Sequence, residues 1–358
     1  MNKNKHLNIV YLGSKREHGK MELEAIGAKV YSHPLNVNTF KIAISLQKYI
    51  KKFKPDAILV ESSGLICLIA FILGEINNLP YFILVKGNYK QEVEEIIPLK
   101  DNLLNKIIIM VDCKLYYFSI RRAKCIFTVS NYLAKEIGKQ LNMPKKKIII
   151  AYPSIDLIRF NPNNNHYLFK NILGLSKETR LLLTVMNFEY PLKVGGLIYF
   201  LESIGEVLNE YQNLKYVIAG DGFLKHWVER KVEKMGLNDS ILLPGFVREI
   251  EKAYASSEFL IHTSFLDMAP LIILEAGASG KPVIVNRCGG IPELVNNGDT
   301  GFIIGKTDCK ELKNKIIDLL EDDELRYNMG INARKRIEKL YNHEKIGYIY
   351  SKKIKEYI

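Results

Sequence analysis

In the first half of the chain, short apolar runs alternate with longer stretches whose apolar residues recur at helical spacing. Residues 7–12 form one such run and stop at Gly13-Ser14. Residues 57–60 follow Lys54-Pro55-Asp56, residues 81–85 follow Leu79-Pro80, and residues 125–129 and 148–151 are two more. Runs this short and this uniformly apolar read as strands buried on both faces, and the patterns at 40–53 and 131–141 as helices. Together they predict a parallel sheet with helices on both sides. The rhythm restarts near Thr179, with strands expected over 181–185, 214–219, 240–243, 259–262, 281–286 and 301–304. Helices are expected over 195–210 and 223–235, with a turn at Gly220-Asp221-Gly222, and residues 323–358 read as helical throughout. The stretch Asn161-Pro162-Asn163-Asn164-Asn165 has the composition of a linker or turn. The expected fold class is therefore α/β, with two doubly wound, Rossmann-like domains over 1–163 and 164–335. Sheets of this kind bind ligands beyond the carboxyl ends of their strands, so two facing domains would place a site in the cleft between them.

Composition narrows the picture little. A length of 358 residues suits about two domains, and 47% hydrophobic with 25% charged residues is ordinary for a globular protein. The formal net charge of +12 points to acidic partners such as phosphorylated substrates, an anionic membrane surface or nucleic acid, without choosing among them. No nucleic-acid-binding module is recognisable, so no nucleic-acid partner is expected. The five cysteines form no C-x-x-C pair and the histidines no H-x-x-x-H spacing, which argues against a zinc site and fits reduced thiols in a cytoplasmic protein. The N-terminal residues carry no cleavage-site pattern, and the longest apolar run, 64–74, is short for a membrane span. The expectation is a cytoplasmic protein, at most peripheral on the membrane face.

The chemistry concentrates in residues 263–293. A strand ends at His262, a polar loop containing Asp267 follows, and a helix is expected to begin around Pro270, with proline in its first turn. The N–H groups opening such a helix, with its dipole, suit phosphate or sugar oxygens. Asp267 before the helix and Glu275 within it can each accept hydrogen bonds from paired hydroxyls.

This segment resembles the E-x7-E region of family 4 glycosyltransferases, which have the two-domain GT-B fold. The matching residues are Thr263-Ser264, Asp267, Pro270-Leu271, Glu275-Ala276, Ala278, Gly280 and Pro282-Val283-Ile284. They continue through Gly289-Gly290-Ile291-Pro292-Glu293 to Gly298-Asp299 and Gly301. Upstream, Lys54-Pro55-Asp56, Val129-Ser130, Lys147-Ile148, Ile155-Asp156 with Phe160, Gly220-Asp221-Gly222 and Pro244-Gly245-Phe246-Val247 resemble further family signatures in the family's order. The resemblance covers nearly the whole chain.

The resemblance implies a retaining hexosyltransferase that uses a UDP- or GDP-sugar as co-substrate, with no cofactor and no metal. It also implies that a C-terminal helix, 336–358, returns to the N-terminal domain. Glu275 would hold the donor ribose, Asp267 would sit near the hydroxyls of the transferred sugar, and Lys193 would neutralise the diphosphate. Such a fixed cation, together with a helix N-terminus, stabilises the charge that develops on the leaving nucleoside diphosphate. Gly13, Asn187, Gly220, Val247, Ala269, Pro270, Leu271 and Ile272 complete the donor-side expectation. Lys86, Asn88 and Ser130 are the acceptor-side candidates, for a glycan or lipid-linked acceptor. The chain departs from the pattern at Asp267, where the family usually has Glu, and at Asn187, where it often has Arg, so that one diphosphate charge is uncompensated unless Arg248 or another cation substitutes. It departs again at Lys86, where a His is frequent. Asp267 and Asn187 keep open a catalytically weak or silent nucleotide-sugar-binding protein, and a GT-B epimerase is a further alternative.

Residues 103–124 mix large apolar and aromatic side chains with Lys114, Arg121, Arg122 and Lys124. That composition fits an amphipathic basic helix lying on an anionic membrane. The alternative is a core helix packed under the sheet.

Overall fold

A computed structural model describes residues 7–13, 18–32, 39–62 and 64–358. Ser14 and the N-terminal residues 1–6 discussed above lie outside the described residues. The chain divides into two compact units, with breaks between Ser154 and Ile155 and between Asn342 and His343.

The first unit runs β1 (Asn8–Leu12), α1 (His18–Ala25), β2 (Lys29–Ser32), α2 (Thr39–Phe53), β3 (Ala57–Val60) and α3 (Gly64–Ile76). It continues with β4 (Tyr81–Val85), α4 (Tyr89–Ile96), α5 (Leu103–Arg122), β5 (Cys125–Thr128), α6 (Asn131–Leu141) and β6 (Ile148–Ile150). The second contains α7 (Leu168–Ile172), β7 (Arg180–Val185), α8 (Pro191–Glu210), β8 (Leu214–Ala219), α9 (Lys225–Lys234), β9 (Ile241–Gly245) and α10 (Ile250–Ser256). It ends with β10 (Phe259–His262), α11 (Leu271–Ala278), β11 (Val283–Asn286), α12 (Ile291–Leu294), β12 (Gly301–Ile304), α13 (Cys309–Glu321) and α14 (Asp323–Leu340). The last helix, α15 (His343–Ile354), belongs to the first unit.

Each unit holds a six-stranded sheet, ordered β2-β1-β3-β4-β5-β6 and β12-β11-β10-β7-β8-β9. Every pairing between these strands is parallel, for example Ile58 beside Tyr81 and Leu182 beside Phe259. Strands β3, β4, β5, β10 and β11 are buried at every residue, as parallel strands under two helical layers must be. In each sheet the order reverses beside the first strand of the unit, at β1/β3 and at β7/β10, the switch point where doubly wound sheets open a crevice.

The unit boundary falls at residue 154 rather than at 163, because the stretch after Ser154 is tied to the second unit. The Ile155 N–H donates to the Tyr341 carbonyl at 3.0 Å, and Arg334 Nη1 donates to the Phe160 carbonyl at 2.7 Å. The Asn-rich stretch lies inside that unit as side-chain-closed turns, with Asn161 Oδ1 accepting from Asn163 N at 2.9 Å and Asn165 Oδ1 from Tyr167 N at 2.9 Å. At the other end the boundary lies at 342 rather than 335, since all of α14 packs in the second unit, on α11. Helix α15 packs on α1, and its Tyr350 ring stands 4.6 Å from Phe127 of β5.

Candidate active site

The second unit gathers three of the expected residues at the carboxyl end of its sheet. Because β10 lies beside β7, the loop after His262 runs next to the start of α8. Gly196 makes that approach possible, since a Cβ there would stand 2.1 Å from the Thr263 carbonyl oxygen. The Phe265 N–H donates to the Leu192 carbonyl at 3.2 Å, locking loop and helix together. Lys193, one residue on, thereby reaches Asp267, with Nζ 2.9 Å from Oδ2, and lies 5.5 Å from the Tyr190 ring centroid.

Asp267 is buried, and both oxygens of its carboxylate are engaged, with acceptor capacity left on Oδ1. Oδ1 accepts from its neighbour Met268 N at 3.1 Å, while Oδ2 meets both Lys193 and His262 Nε2, the latter at 3.3 Å. Burial alone would raise the carboxyl pKa, but the Lys193 charge and the His262 contact outweigh it and hold the group at about 2. Asp267 is therefore an acceptor-only carboxylate throughout the neutral range. Its backbone is pinned as well, because Gly290 N donates to the Asp267 carbonyl at 3.0 Å. Gly289 sits at φ +50° with room for no side chain, a Cβ there falling 1.9 Å from that same oxygen.

Helix α11 begins one residue later than the first-turn proline predicts. Pro270 is the N-cap, in extended conformation at ψ 124°, and Leu271 is the first helical residue. No side chain caps this end, so the orphan first-turn N–H groups of Leu271 and Ile272 remain available to an anion. Ala269 is half-buried and Pro270 buried beside them. Glu275 follows one turn in, half-buried, with Oε2 accepting from the Tyr254 hydroxyl at 2.8 Å. Tyr254 is itself fully buried on α10, which fixes the glutamate's orientation.

The remaining donor-side candidates lie on loops that leave strand ends. Asn187 is exposed just after β7, and Gly220 follows β8, donating to the Gly245 carbonyl at 2.8 Å. Val247 is half-buried and Arg248 exposed after β9. In the first unit Gly13 follows β1, but the Tyr11 ring fills the space a Cβ would occupy there, at 2.2 Å. A phosphate approaching from that side would meet the ring.

Among the acceptor-side candidates, Lys86 pairs with the buried Glu61, whose other oxygen accepts from the Tyr11 hydroxyl at 2.6 Å. These three residues stand at the carboxyl ends of β1, β3 and β4. Asn88 and Ser130 instead cap helices. Asn88 Oδ1 accepts from Gln91 N and from the Tyr117 hydroxyl at 3.1 Å, and Ser130 Oγ accepts from Leu133 N at 3.2 Å. Sequence reasoning missed His262, Tyr254, Tyr11 and Glu61. The only signal for His262 was a polar residue closing an apolar strand; Tyr254 gave none. Among the described residues no three His, Cys, Asp or Glu side chains are grouped to hold a metal ion.

Two Rossmann-like units with these edge loops define the GT-B class. Solved structures agree: Anabaena Alr3699/HepE in complex with UDP-glucose superposes with a TM-score of 0.75 over 98% of this chain and 100% of that one, at 16% identity. Sucrose-phosphate synthase from Thermosynechococcus elongatus gives 0.77 over 98% and 99%, at 15% identity. Residues 168–336 match the family "Glycosyl transferases group 1" and residues 8–159 match "Glycosyltransferase Family 4". The chain belongs to this glycosyltransferase family. It is 29% identical over 229 residues to the N-acetyl-alpha-D-glucosaminyl L-malate synthase of Bacillus anthracis, an alignment spanning 64% of this chain and 58% of that relative. It is 27% identical over 310 residues to the Escherichia coli UDP-Gal:alpha-D-GlcNAc-diphosphoundecaprenol alpha-1,3-galactosyltransferase, spanning 86% of this chain and 76% of the relative.

Proposed function

We propose that the protein transfers a sugar from a UDP- or GDP-sugar to a hydroxyl of a glycan or lipid-linked acceptor, with retention of configuration and without a metal. The observation that carries this reading is the Lys193–Asp267 ion pair beside an uncapped helix N-terminus with Glu275 one turn in. Glu275, oriented by Tyr254, accepts hydrogen bonds from the ribose hydroxyls. Asp267, ionised and held by Lys193 and His262, accepts from hydroxyls of the transferred sugar. Lys193 and the first-turn amides of α11 meet the diphosphate. As the bond from the anomeric carbon to the phosphate oxygen breaks, its electron pair stays on that oxygen, where the ammonium and helix dipole stabilise it. The acceptor oxygen bonds to the same carbon on the same face, and its proton passes to the departing phosphate. The GlcNAc-diphosphoundecaprenol named for the E. coli relative supports a lipid-linked acceptor here.

Incubation with a panel of nucleotide sugars tests the reading. One of them is expected to release its nucleoside diphosphate slowly, with turnover unchanged by a chelator. Lys193→Ala should lower that rate by about a hundredfold or more, and Glu275→Ala should weaken donor binding while the melting temperature holds. Calorimetry that finds no nucleotide sugar bound would defeat the proposal. A product of inverted configuration would defeat its stereochemical part.

A further inference from the structure

Only the second half of helix α5, where Tyr116, Ser119 and Ile120 are buried, packs as a core helix. Asp112 caps the start of α3, accepting from Gly64 N and Leu65 N at 2.9 Å each, and Phe118 packs edge-on to Phe71 of α3 at 6.3 Å. The two helices therefore run side by side from Asp112 onward, and residues 103–111 extend about 13 Å beyond the start of α3. Because α3 follows β3 and α5 precedes β5, this overhang projects past the carboxyl edge of the sheet, where Glu61 and Lys86 lie.

The overhang is apolar and uncovered. Leu103 is 71% exposed, Leu104 61% and Ile108 55%, and Ile107, Met110 and Val111 are exposed to nearly the same degree. At about 100° per residue these six side chains fall in one arc of roughly 160°. Lys114, Phe118, Arg121 and Arg122 continue the same arc toward the C-terminus, all four exposed, with the Arg122 guanidinium 5.2 Å from the Phe118 ring. The helix's single acid, Asp112, is turned onto α3. The amphipathy thus runs along the helix axis: apolar tip first, basic collar after. No helix among the described residues is long and apolar enough to cross a membrane.

We propose that α5 docks the protein on a bilayer containing anionic lipid, its tip at residues 103–111 entering the acyl boundary while Lys114, Arg121 and Arg122 engage headgroup phosphates. The chemistry disfavours a second copy on this face. Antiparallel pairing would lay each apolar tip on the other copy's arginines, and parallel pairing would oppose like charges. Docking deepens the acceptor reading above and rests on it for its purpose, since it brings the acceptor edge of the first unit to the surface where a lipid-linked substrate resides.

The test is co-flotation of the full chain with phosphatidylcholine vesicles, with and without phosphatidylglycerol, at low and high salt. Wild type is expected to float with the anionic vesicles at low salt and to be released by salt. Ile107→Ser/Ile108→Ser should reduce the bound fraction about tenfold or more. Arg121→Gln/Arg122→Gln should abolish the advantage of the anionic lipid. Leu104→Ser serves as a second tip variant, and unchanged melting temperatures certify all three folds. Failure of wild type to float, or unchanged flotation of both tip variants, overturns the proposal. So does a wild-type dimer in solution that the tip variants convert to monomer, because the face is then an interface between copies. Nucleoside diphosphate release is read in parallel on all proteins. Flotation without release would sink the transferase reading and leave docking standing, and release without flotation would do the reverse.

Discussion

His262 shows how a residue without an expected role positions one that has it. Its ring is buried with Nε2 toward Asp267, while Nδ1 has no hydrogen-bond partner among the described residues. With a proton on Nε2 the histidine donates to Asp267, and on the proposed function it keeps the carboxylate in place as Lys193 turns to the diphosphate. His262→Phe is expected to raise the Asp267 carboxyl pKa from about 2, followed by carbon NMR, because a hydrogen bond to the charged form is lost. Lys193→Met should raise it further, and an unmoved Asp267 in His262→Phe would remove the positioning role. Gly289→Ala acts on the same carboxylate from the backbone side. With a Cβ forced to within 1.9 Å of the Asp267 carbonyl, that loop must shift, and nucleoside diphosphate release should fall by roughly a hundredfold in a protein that still folds.

Asp112 does for elements what His262 does for a residue. One carboxylate caps α3 through two backbone N–H groups and accepts from the Tyr89 hydroxyl at 2.8 Å at the start of α4, so three helices share it. Asp112→Ala should cost about 2 kcal/mol in urea unfolding, the sum of a lost cap and a lost hydrogen bond. A change within a few tenths would show that water replaces it. Nothing in the sequence marks Asp112, because a cap supplied from another helix has no local signature. The strands were legible where burial is two-sided: 57–60, 81–85, 214–219, 259–262 and 301–304 are found where expected. Edge strand β2 was not, since its residues are exposed or half-buried and carry no apolar run. Helix α8 begins at Pro191, four residues before its expected start, because Gly195-Gly196 reads as a break in sequence while the fold uses Gly196 for close packing. Lys193, Asp267 and Glu275 were legible as a set only through the resemblance, since their meeting depends on β7 and β10 being neighbours. For α5 the sequence supports both a core and a surface helix, and the exposure of its first half decides between them.

At the scale of the whole molecule, the chain's two ends meet through a buried acid. Glu22 of α1 accepts from the Ser154 hydroxyl at 2.7 Å, and that hydroxyl also contacts Nδ1 of His343, the first residue of α15, at 2.6 Å. Gly347 of α15 is packed so closely on α1 that a Cβ would stand 1.9 Å from the Glu22 carbonyl oxygen. Burial raises the Glu22 pKa to about 7, against smaller opposing effects of the Ser154 hydrogen bond and the Lys86 charge. A carboxyl whose folded pKa lies above its unfolded value of 4.5 binds its proton more tightly in the folded state. The stability it contributes is therefore present at low pH, declines as pH rises from about 4.5 to about 7, and is level beyond. Asp267 has the opposite sign. Its folded pKa of about 2 gives a contribution present above its unfolded value of 3.8 and lost as pH falls toward 2. On these two groups stability peaks between about 4 and 5. Glu22→Gln keeps an acceptor for Ser154 and removes the ionisation, so it should match wild type near pH 4.5 and exceed it at pH 8 by up to about 3 kcal/mol. Amide hydrogen exchange over His343–Ile354 should show the same dependence in wild type, with protection falling across neutral pH, and lose it in the variant. A Glu22→Gln protein less stable than wild type at pH 8 would mean that the carboxylate is held charged, and that α15 is docked by an ion rather than by a buried neutral acid.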